Sequence, residues 1–174
     1  LLDTVTTDAP AKRALSELLA VVRGEVQPSL PVAGTASEFL ARSYALQARA
    51  DLPAARAAAA EAVKLAPQSG FAHARLAELD FAFDSRRAAL VGLNRAIRLS
   101  PRLVSAEALR GFVLLAQGDV PAALSAFDHA RELDAAFGPA WLGRGLCLLR
   151  ERNFSEAQSA FQAAVAFEPQ RGLF

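Results

Sequence analysis

A 34-residue period is the feature of this sequence that most constrains its fold. Pro67, Pro101 and Pro169 are spaced by one and then by two such periods, with Ala135 at the skipped place. A frame set by these prolines divides the chain, without insertions, into four blocks, residues 36–69, 70–103, 104–137 and 138–171. Two positions of the frame are alanine in all four blocks: Ala55, Ala89, Ala123 and Ala157, and Ala62, Ala96, Ala130 and Ala164. Such a period predicts an array of small helical units.

Each block contains the signals for two helices. Its sixteenth residue has a side-chain oxygen that can accept hydrogen bonds from the free amides of a helix start; these residues are Asp51, Ser85, Asp119 and Asn153. The helix that begins there ends before the proline column, because the residue before a proline is pushed out of the helical region. Upstream, a second helical pattern has a small eighth residue that lets the paired helix approach; these residues are Ser43, Ala77, Gly111 and Gly145. Each block is therefore predicted to be a helix A, a tight turn and a helix B.

The blocks resemble tetratricopeptide repeats over residues 36–171. The last block carries the most complete set of matching residues: Trp141, Gly145, Leu148, Ala157, Phe161, Ala164 and Pro169. The resemblance implies an all-α fold, a right-handed α-solenoid of antiparallel helix pairs. His73 and Glu107 replace the family's aromatic fourth residue, and Asp80 replaces a large eleventh residue. We expect these departures to affect local packing and not the fold.

The two ends of the array differ from its middle. Residues 1–35 predict one helix at about 10–24 and an extended connector; the helix is interpreted as a cap on the first repeat, or as the B helix of a degenerate repeat. Residues 172–174 fit the start of a truncated following helix, and the chain, which has no methionine, is expected to be an excerpt of a longer protein. The last B helix presents Phe161, Val165 and Phe167 where a terminal repeat needs a polar face. We expect this apolar end to be covered in the longer protein or to form a homodimer.

Ala59 is the small member of its column. The corresponding residues of the other blocks are Leu93, Phe127 and Phe161, so the first block is expected to contain an unfilled space. We predict that the helix of residues 10–24, or its connector, supplies the missing apolar side chain.

Composition and charge argue against several classes of function. The chain has 19 basic and 18 acidic residues and a net charge of +1, without the basic stripe that a nucleic-acid surface requires. No apolar segment reaches the roughly 18 uncharged residues of a membrane span. No spacing of His, Cys and carboxylate residues fits a metal site. We therefore expect no nucleic-acid partner, no membrane insertion, no metal and no cofactor.

Few side chains are candidates for chemistry. Cys147 stands among aliphatic residues, which predicts a buried, inert thiol. His73 is predicted to be packed or to face the groove, and His129 to be solvated at the surface. Glu78 and Asp80 are the only candidates for acid–base catalysis, and ion pairing with nearby arginines is the favoured interpretation. The sequence therefore predicts a protein that is not an enzyme.

The resemblance places the A helices along a concave groove. Its predicted, mostly apolar lining is Leu40, Tyr44, Gln47, Phe71, Arg75, Glu78, Phe81, Phe112, Leu115, Leu142, Leu146, Leu149 and Arg150. The clamp with which some family members bind a terminal carboxylate is not expected, because its places hold Leu40, Tyr44, Ser105 and Leu109, with Arg75 as the single cation. An apolar groove suits an amphipathic helix or an extended apolar peptide. The alternatives are that this protein fills its own groove, or that these residues serve interhelical packing.

The leading functional hypothesis is a non-catalytic interaction scaffold for a protein or peptide partner, within a larger bacterial protein. The alternative is a structural spacer or self-association module, and the third hypothesis is an enzyme that uses Glu78 and Asp80. Residues 43–79 also resemble, loosely, repeat arrays found beside FecR-like domains of bacterial envelope proteins. That likeness implies a periplasmic or envelope location rather than a cytoplasmic one.

Overall fold

The architecture is a stack of paired helices. In a computed structural model, the described residues are 9–24 and 33–167, and they form nine α-helices and no strand. The helices are α1 (Ala9–Val22), α2 (Ala36–Ala48), α3 (Leu52–Leu65), α4 (Gly70–Ala82), α5 (Arg86–Leu99), α6 (Val104–Gln117), α7 (Val120–Leu133), α8 (Gly138–Arg150) and α9 (Phe154–Phe167). The predicted all-α solenoid is confirmed for these residues.

Helix starts follow the local signals in the sequence. Asp51 Oδ1 accepts from the Ala54 amide at 3.1 Å, and Asp119 Oδ1 accepts from the Ala122 amide at 3.1 Å. Asn153 makes a longer bond of the same kind, 3.4 Å to the Glu156 amide. Ser85 differs, because its side chain makes no cap hydrogen bond although α5 begins beside it. A cap side chain thus assists three of these starts, whereas the fourth forms without one.

The helices pack in chain order. Helices α2, α4, α6 and α8 are the A helices, and α3, α5, α7 and α9 are their B partners. Helices α3, α5 and α7 also pack against the A helix of the following block. The core between them is built largely from fully buried alanines, among them Ala55, Ala89, Ala123 and Ala130. The short side chains bring the helix axes close together.

The fourth residue of each block, which is aromatic in the family, forms a column in which the second block has histidine. A hydrogen bond shows why histidine is accepted there. Trp141 Nε1 donates to the Ala135 carbonyl oxygen at 2.8 Å. His73 Nε2 lies 3.0 Å from the Pro67 carbonyl oxygen, also six residues upstream. The histidine ring therefore reproduces the hydrogen bond of the tryptophan when its Nε2 carries the proton.

In the third block, the residue of that column is a buried carboxylate, Glu107, which forms an ion pair. Glu107 is buried and its Oε2 accepts from Arg110 Nη2 at 2.8 Å. His129, half exposed on α7, places its Nδ1 2.9 Å from Glu107 Oε1. The prediction of a solvated His129 is therefore incomplete, since its ring also ties α7 to the carboxylate on α6.

Side chains of complementary size fill the joint between consecutive blocks. We use "joint" for the eighth and twenty-fourth residues of a block together with the sixth residue of the next. The third joint is Gly111, Phe127 and Gly143, and a Cβ atom at either glycine would collide with the Phe127 ring. The second joint is Ala77, Leu93 and Leu109, which pack in one cluster. A larger central residue is thus matched by smaller flanking residues.

The helix of residues 10–24 was predicted to supply the apolar side chain missing beside Ala59. The first joint shows that this part of the prediction is wrong. Helix α1 packs against α2 and against no other described helix, so it does not reach α3. The second block contributes the side chains of this joint instead: Arg75 is only 2% exposed and donates from Nε to Ser43 Oγ at 2.9 Å. Leu79 also packs against Ala59. The predicted contribution of the connector falls on residues 25–32, outside the described residues.

The junction between α1 and α2 is more polar than the joints. Arg13 Nε donates to the buried Glu38 Oε1 at 2.6 Å, and Glu38 Oε2 accepts from the Gly34 and Thr35 amides at 3.0 Å. The Gly34 amide and the Arg13 guanidinium lower the pKa of Glu38 to about 2. Glu17 on α1 is also buried, and its Oε1 has no hydrogen-bond partner among the described residues. Burial raises the pKa of Glu17, and the Glu38 charge adds to that rise against the opposing effect of Arg42.

Glu17→Gln is expected to raise the free energy of unfolding by about 1 kcal/mol at pH 7, because it replaces a buried carboxylate, whose charged form is disfavoured by burial, with a neutral side chain of the same shape. A raised folded-state pKa means that Glu17 contributes stability below its unfolded pKa and that this contribution is lost as the pH rises through the folded pKa. The gain should therefore disappear near pH 4. Urea denaturation at both pH values measures it, with Glu132→Gln on the exposed face of α7 as the control. An equal gain at both pH values would contradict this account.

Candidate functional site

The A helices enclose a groove with an apolar cavity of about 290 Å³. Five residues of the predicted lining meet there: Tyr44, Phe71, Arg75, Glu78 and Phe112. Phe71 projects from the first turn of α4 and is 63% exposed. The Phe112 ring meets Phe127 edge to face, with ring centres 4.9 Å apart. One wall of the groove is therefore fixed by the core, whereas Phe71 is free to contact a ligand.

The rest of the predicted lining lies elsewhere. Leu115 and Leu146 pack around Phe127 in the core, and Phe81 packs against the cluster around Leu93. Leu149 lines a separate cavity at the C-terminal end, and the remaining predicted residues, outside the cavity lining, are Leu40, Gln47, Leu142 and Arg150. Arg150 Nη1 donates to the Leu115 carbonyl oxygen at 2.9 Å, so this guanidinium is already engaged.

Sequence reasoning missed the residues that close the groove at its far side. Phe137 and Pro139 line it from the start of α8, and Leu103 lines it from the start of α6. Leu103 and Phe137 occupy N-cap positions without any side-chain cap bond. An apolar residue where Ser, Thr, Asp or Asn is usual was the available signal.

Arg75 does not present a free charge to the groove. Its Nη1 donates to Glu78 Oε2 at 2.9 Å, its Nη2 donates to the Ser43 carbonyl oxygen at 3.1 Å, and its guanidinium carbon lies 3.8 Å from the centre of the Tyr44 ring. Burial raises the pKa of Tyr44, so the phenol stays a neutral hydrogen-bonding group. The groove therefore offers aromatic surface with a few neutral or paired polar groups.

The candidate catalytic carboxylates have separate partners. Glu78 pairs with Arg75, whereas buried Asp80 pairs with Arg56, with 2.6 Å between Arg56 Nη2 and Asp80 Oδ1. Cys147 is fully buried, and burial raises the pKa of its thiol to about 11, so it is not a thiolate nucleophile. Among residues 9–24 and 33–167, no three His, Cys, Asp or Glu side chains are grouped as metal ligands. None of the helices in this part of the chain has the length and apolar character of a membrane span.

Comparisons with known proteins support the helical-repeat fold. A sequence model of the family described as "Tetratricopeptide repeat" matches residues 114–173, and no curated protein sequence matches the chain. The crystal structure of MamA is similar with a TM-score of 0.70 and 20% identity, over 98% of this chain and 100% of that one. TTC0263, a thermophilic TPR protein of Thermus thermophilus, gives a TM-score of 0.73 and 21% identity, over 78% and 75% of the two chains. YrrB, described as a TPR protein with an unusual peptide-binding site, gives 0.63 and 20%, over 78% and 70%.

Proposed function

This chain is a tetratricopeptide repeat protein, and we propose that it is a non-catalytic scaffold that binds a peptide or a helix of a partner protein in its concave groove, as part of a larger bacterial protein. The observation that carries the proposal is the exposed Phe71 beside Tyr44 and Phe112 in one cleft. Clustered aromatic side chains at a concave surface supply large contact area for protein partners.

The size and polarity of the groove indicate how a partner is held. A cavity of about 290 Å³ is at the small end of the range for ligand pockets, about 300–1,000 Å³. It accommodates one or two large apolar side chains, with the rest of the peptide along the rim. The peptide-binding site named for YrrB, whose fold is similar, supports the same use of this fold.

Phe71→Lys is expected to weaken peptide binding about tenfold or more, because it removes an exposed aromatic contact and adds a charge that the ligand must desolvate. Peptides would first be selected on the immobilised chain from a displayed random library, and we expect those enriched to carry a large apolar anchor. Their dissociation constants are then measured for both chains by fluorescence anisotropy.

Val91→Lys is the matched control. Val91 is 66% exposed on α5 and is not part of the groove lining, so this change adds the same charge away from the groove and should leave binding unchanged. Selected peptides that bind Phe71→Lys as well as the original chain would contradict the proposal.

Self-association is the second candidate function. It is favoured by the apolar C-terminal end, where Val165 and Phe167 on α9 are exposed and Phe161 is half-buried. Phe167 also lies near Trp141, with 6.2 Å between the ring centres. A dimer that dissociates in sedimentation when Phe161 and Phe167 become polar would support this function.

A location in the bacterial cell envelope stays a prediction that rests on the loose likeness to arrays beside FecR-like domains. Cell fractionation with an antibody against this chain tests it, and recovery with cytoplasmic proteins would contradict it.

A further inference from the structure

The concave groove presents a carboxylate to a ligand, and not a cation. Among the described residues of the cavity lining, Arg75 and Glu78 are the charged ones. The side chain of Arg75 is 1% exposed, whereas that of Glu78 is 43% exposed. The other lining residues are uncharged, and those with hydroxyl groups are Tyr44 and Ser105. A bound peptide therefore meets a negative charge in mostly apolar surroundings.

The guanidinium of Arg75 is held away from the ligand by its own bonds. Its Nε and Nη2 donate to the side-chain and carbonyl oxygens of Ser43, and its Nη1 donates to Glu78 Oε2. Turning Arg75 into the groove would leave buried polar groups without partners, which is costly. Arg75 therefore supports Glu78 and does not act as a second binding charge.

Glu78 keeps one oxygen for a ligand. Its Oε2 accepts from Arg75 Nη1 at 2.9 Å, whereas its Oε1 has no hydrogen-bond partner among the described residues. A carboxylate oxygen only accepts hydrogen bonds, so the ligand group that fits there is a donor. Bonds from lysine or arginine to a carboxylate are stronger than those from neutral donors. An acidic ligand group at this place would face a like charge, which is unfavourable.

The position of Glu78 also gives the spacing between the cation and the apolar anchor of the peptide. Phe71 and Glu78 are seven residues apart on α4, so they lie on one face of the helix, separated by roughly 10 Å. An extended peptide advances about 3.3 Å per residue. A peptide whose anchor contacts Phe71 therefore reaches Glu78 with a side chain about two to four residues away.

We propose that the partner segment in the concave groove carries a lysine or an arginine that pairs with Glu78 Oε1, about two to four residues from its apolar anchor. This inference rests on the proposed function and adds the charge of the ligand to it. The groove selects cationic segments and rejects acidic ones. The net charge of the chain is +1, which attracts no cation in general, so the preference comes from Glu78.

The chain's own segments outside the described residues fit this charge requirement poorly. Residues 1–8 and 25–32 contain acidic side chains and no lysine or arginine. Residues 168–174 contain one basic and one acidic residue, Arg171 and Glu168. Charge complementarity therefore favours a partner protein as the source of the bound segment.

A displayed library of short peptides, with phenylalanine fixed at the centre and random residues elsewhere, tests the proposal on the immobilised full chain. We expect lysine and arginine to be enriched about fivefold over aspartate and glutamate within about four residues of the phenylalanine. In the most enriched peptide, replacing the basic residue by glutamate should weaken binding about tenfold. Fluorescence anisotropy measures both affinities.

Glu78→Gln is the variant that isolates the charge, because glutamine keeps an oxygen that can accept from Arg75. The preference for the basic peptide should vanish or reverse, since the guanidinium then has no counter-charge beside it. Glu78→Asp retains the charge and should retain the preference. Glu132→Gln removes the same charge from the exposed face of α7 and is the control, in which the preference should also persist.

The outcomes separate this inference from the proposed function. Selected peptides that depend on Phe71 but show no enrichment of basic residues would overturn the inference and leave the proposed function standing. If no selected peptide depends on Phe71, both fail. A preference that survives in Glu78→Gln contradicts the assigned ion pair. A severalfold rise in affinity in the Arg171→Gln chain would show that residues 168–174 compete for Glu78, and the assignment to a partner would be wrong.

Discussion

Phe127→Ala is expected to lower the free energy of unfolding by about 3–5 kcal/mol, the range for removing a large buried aromatic side chain. The Phe127 ring is fully buried in the third joint, between Gly111 and Gly143. Neither glycine has a side chain that can move into the space. The backbones of α6 and α8 would have to shift to close it, so most of the cavity should persist.

Urea denaturation followed by circular dichroism measures this effect. Phe154→Ala is the control, because it removes the same side chain from a site where Phe154 is 63% exposed, and it should change stability by less than about 1 kcal/mol. Similar losses for the two variants would mean that the third joint does not carry the stability assigned to it.

Gly143→Leu is expected to lower the free energy of unfolding by about 1–3 kcal/mol, even though leucine is the better helix former. The added side chain overlaps the Phe127 ring, which is held on its other side by α6. The second joint shows that leucine is accepted at this place when the central residue is also leucine, as in Leu93 with Leu109.

The double variant Phe127→Leu with Gly143→Leu should therefore recover stability relative to the sum of the two single changes. We expect a favourable interaction free energy of about 1–3 kcal/mol in a double-mutant cycle. Ser125→Leu on the exposed face of α7 controls for the added side chain alone. Additive losses would show that the size match between Phe127 and Gly143 has no energetic weight.

The helices could be predicted from the sequence because the signals that start and end them are local. Proline columns and cap residues act within a few residues of themselves, so they mark helix bounds in the sequence, although α7 ends at the same place in its block with Ala135 where α3 and α5 are followed by proline. Ser85 shows the limit of such signals, since its helix begins without a cap bond. His73 could be placed in its column, but its bond to the Pro67 carbonyl oxygen depends on the path of the preceding turn.

The helix of residues 10–24 was predicted to fill the space at Ala59, whereas α1 does not reach α3 and the described side chains that complete the first joint come from the next block. Leu79 packs against Ala59 and Arg75 bonds to Ser43, and the charged side chain of Arg75 did not suggest a buried position. From joint to joint, the sixth residue of the following block becomes smaller as the twenty-fourth residue becomes larger. The pairs are Arg75 with Ala59, Leu109 with Leu93, and Gly143 with Phe127.

Only part of the groove lining could be predicted, again because a residue at a block boundary takes part. Tyr44, Phe71 and Phe112 lie on helix faces, whereas Phe137 precedes α8 at such a boundary.

Phe112 belongs to two structures at once. Its ring lines the groove, and its edge-to-face contact with Phe127 reaches into the joint between the third and fourth repeats. A peptide that contacts Phe112 in the groove therefore also contacts the ring on which the core residue Phe127 packs. We expect a bound peptide to stabilise the third joint as well as the groove, since a ligand that binds only the folded state raises the free energy of unfolding.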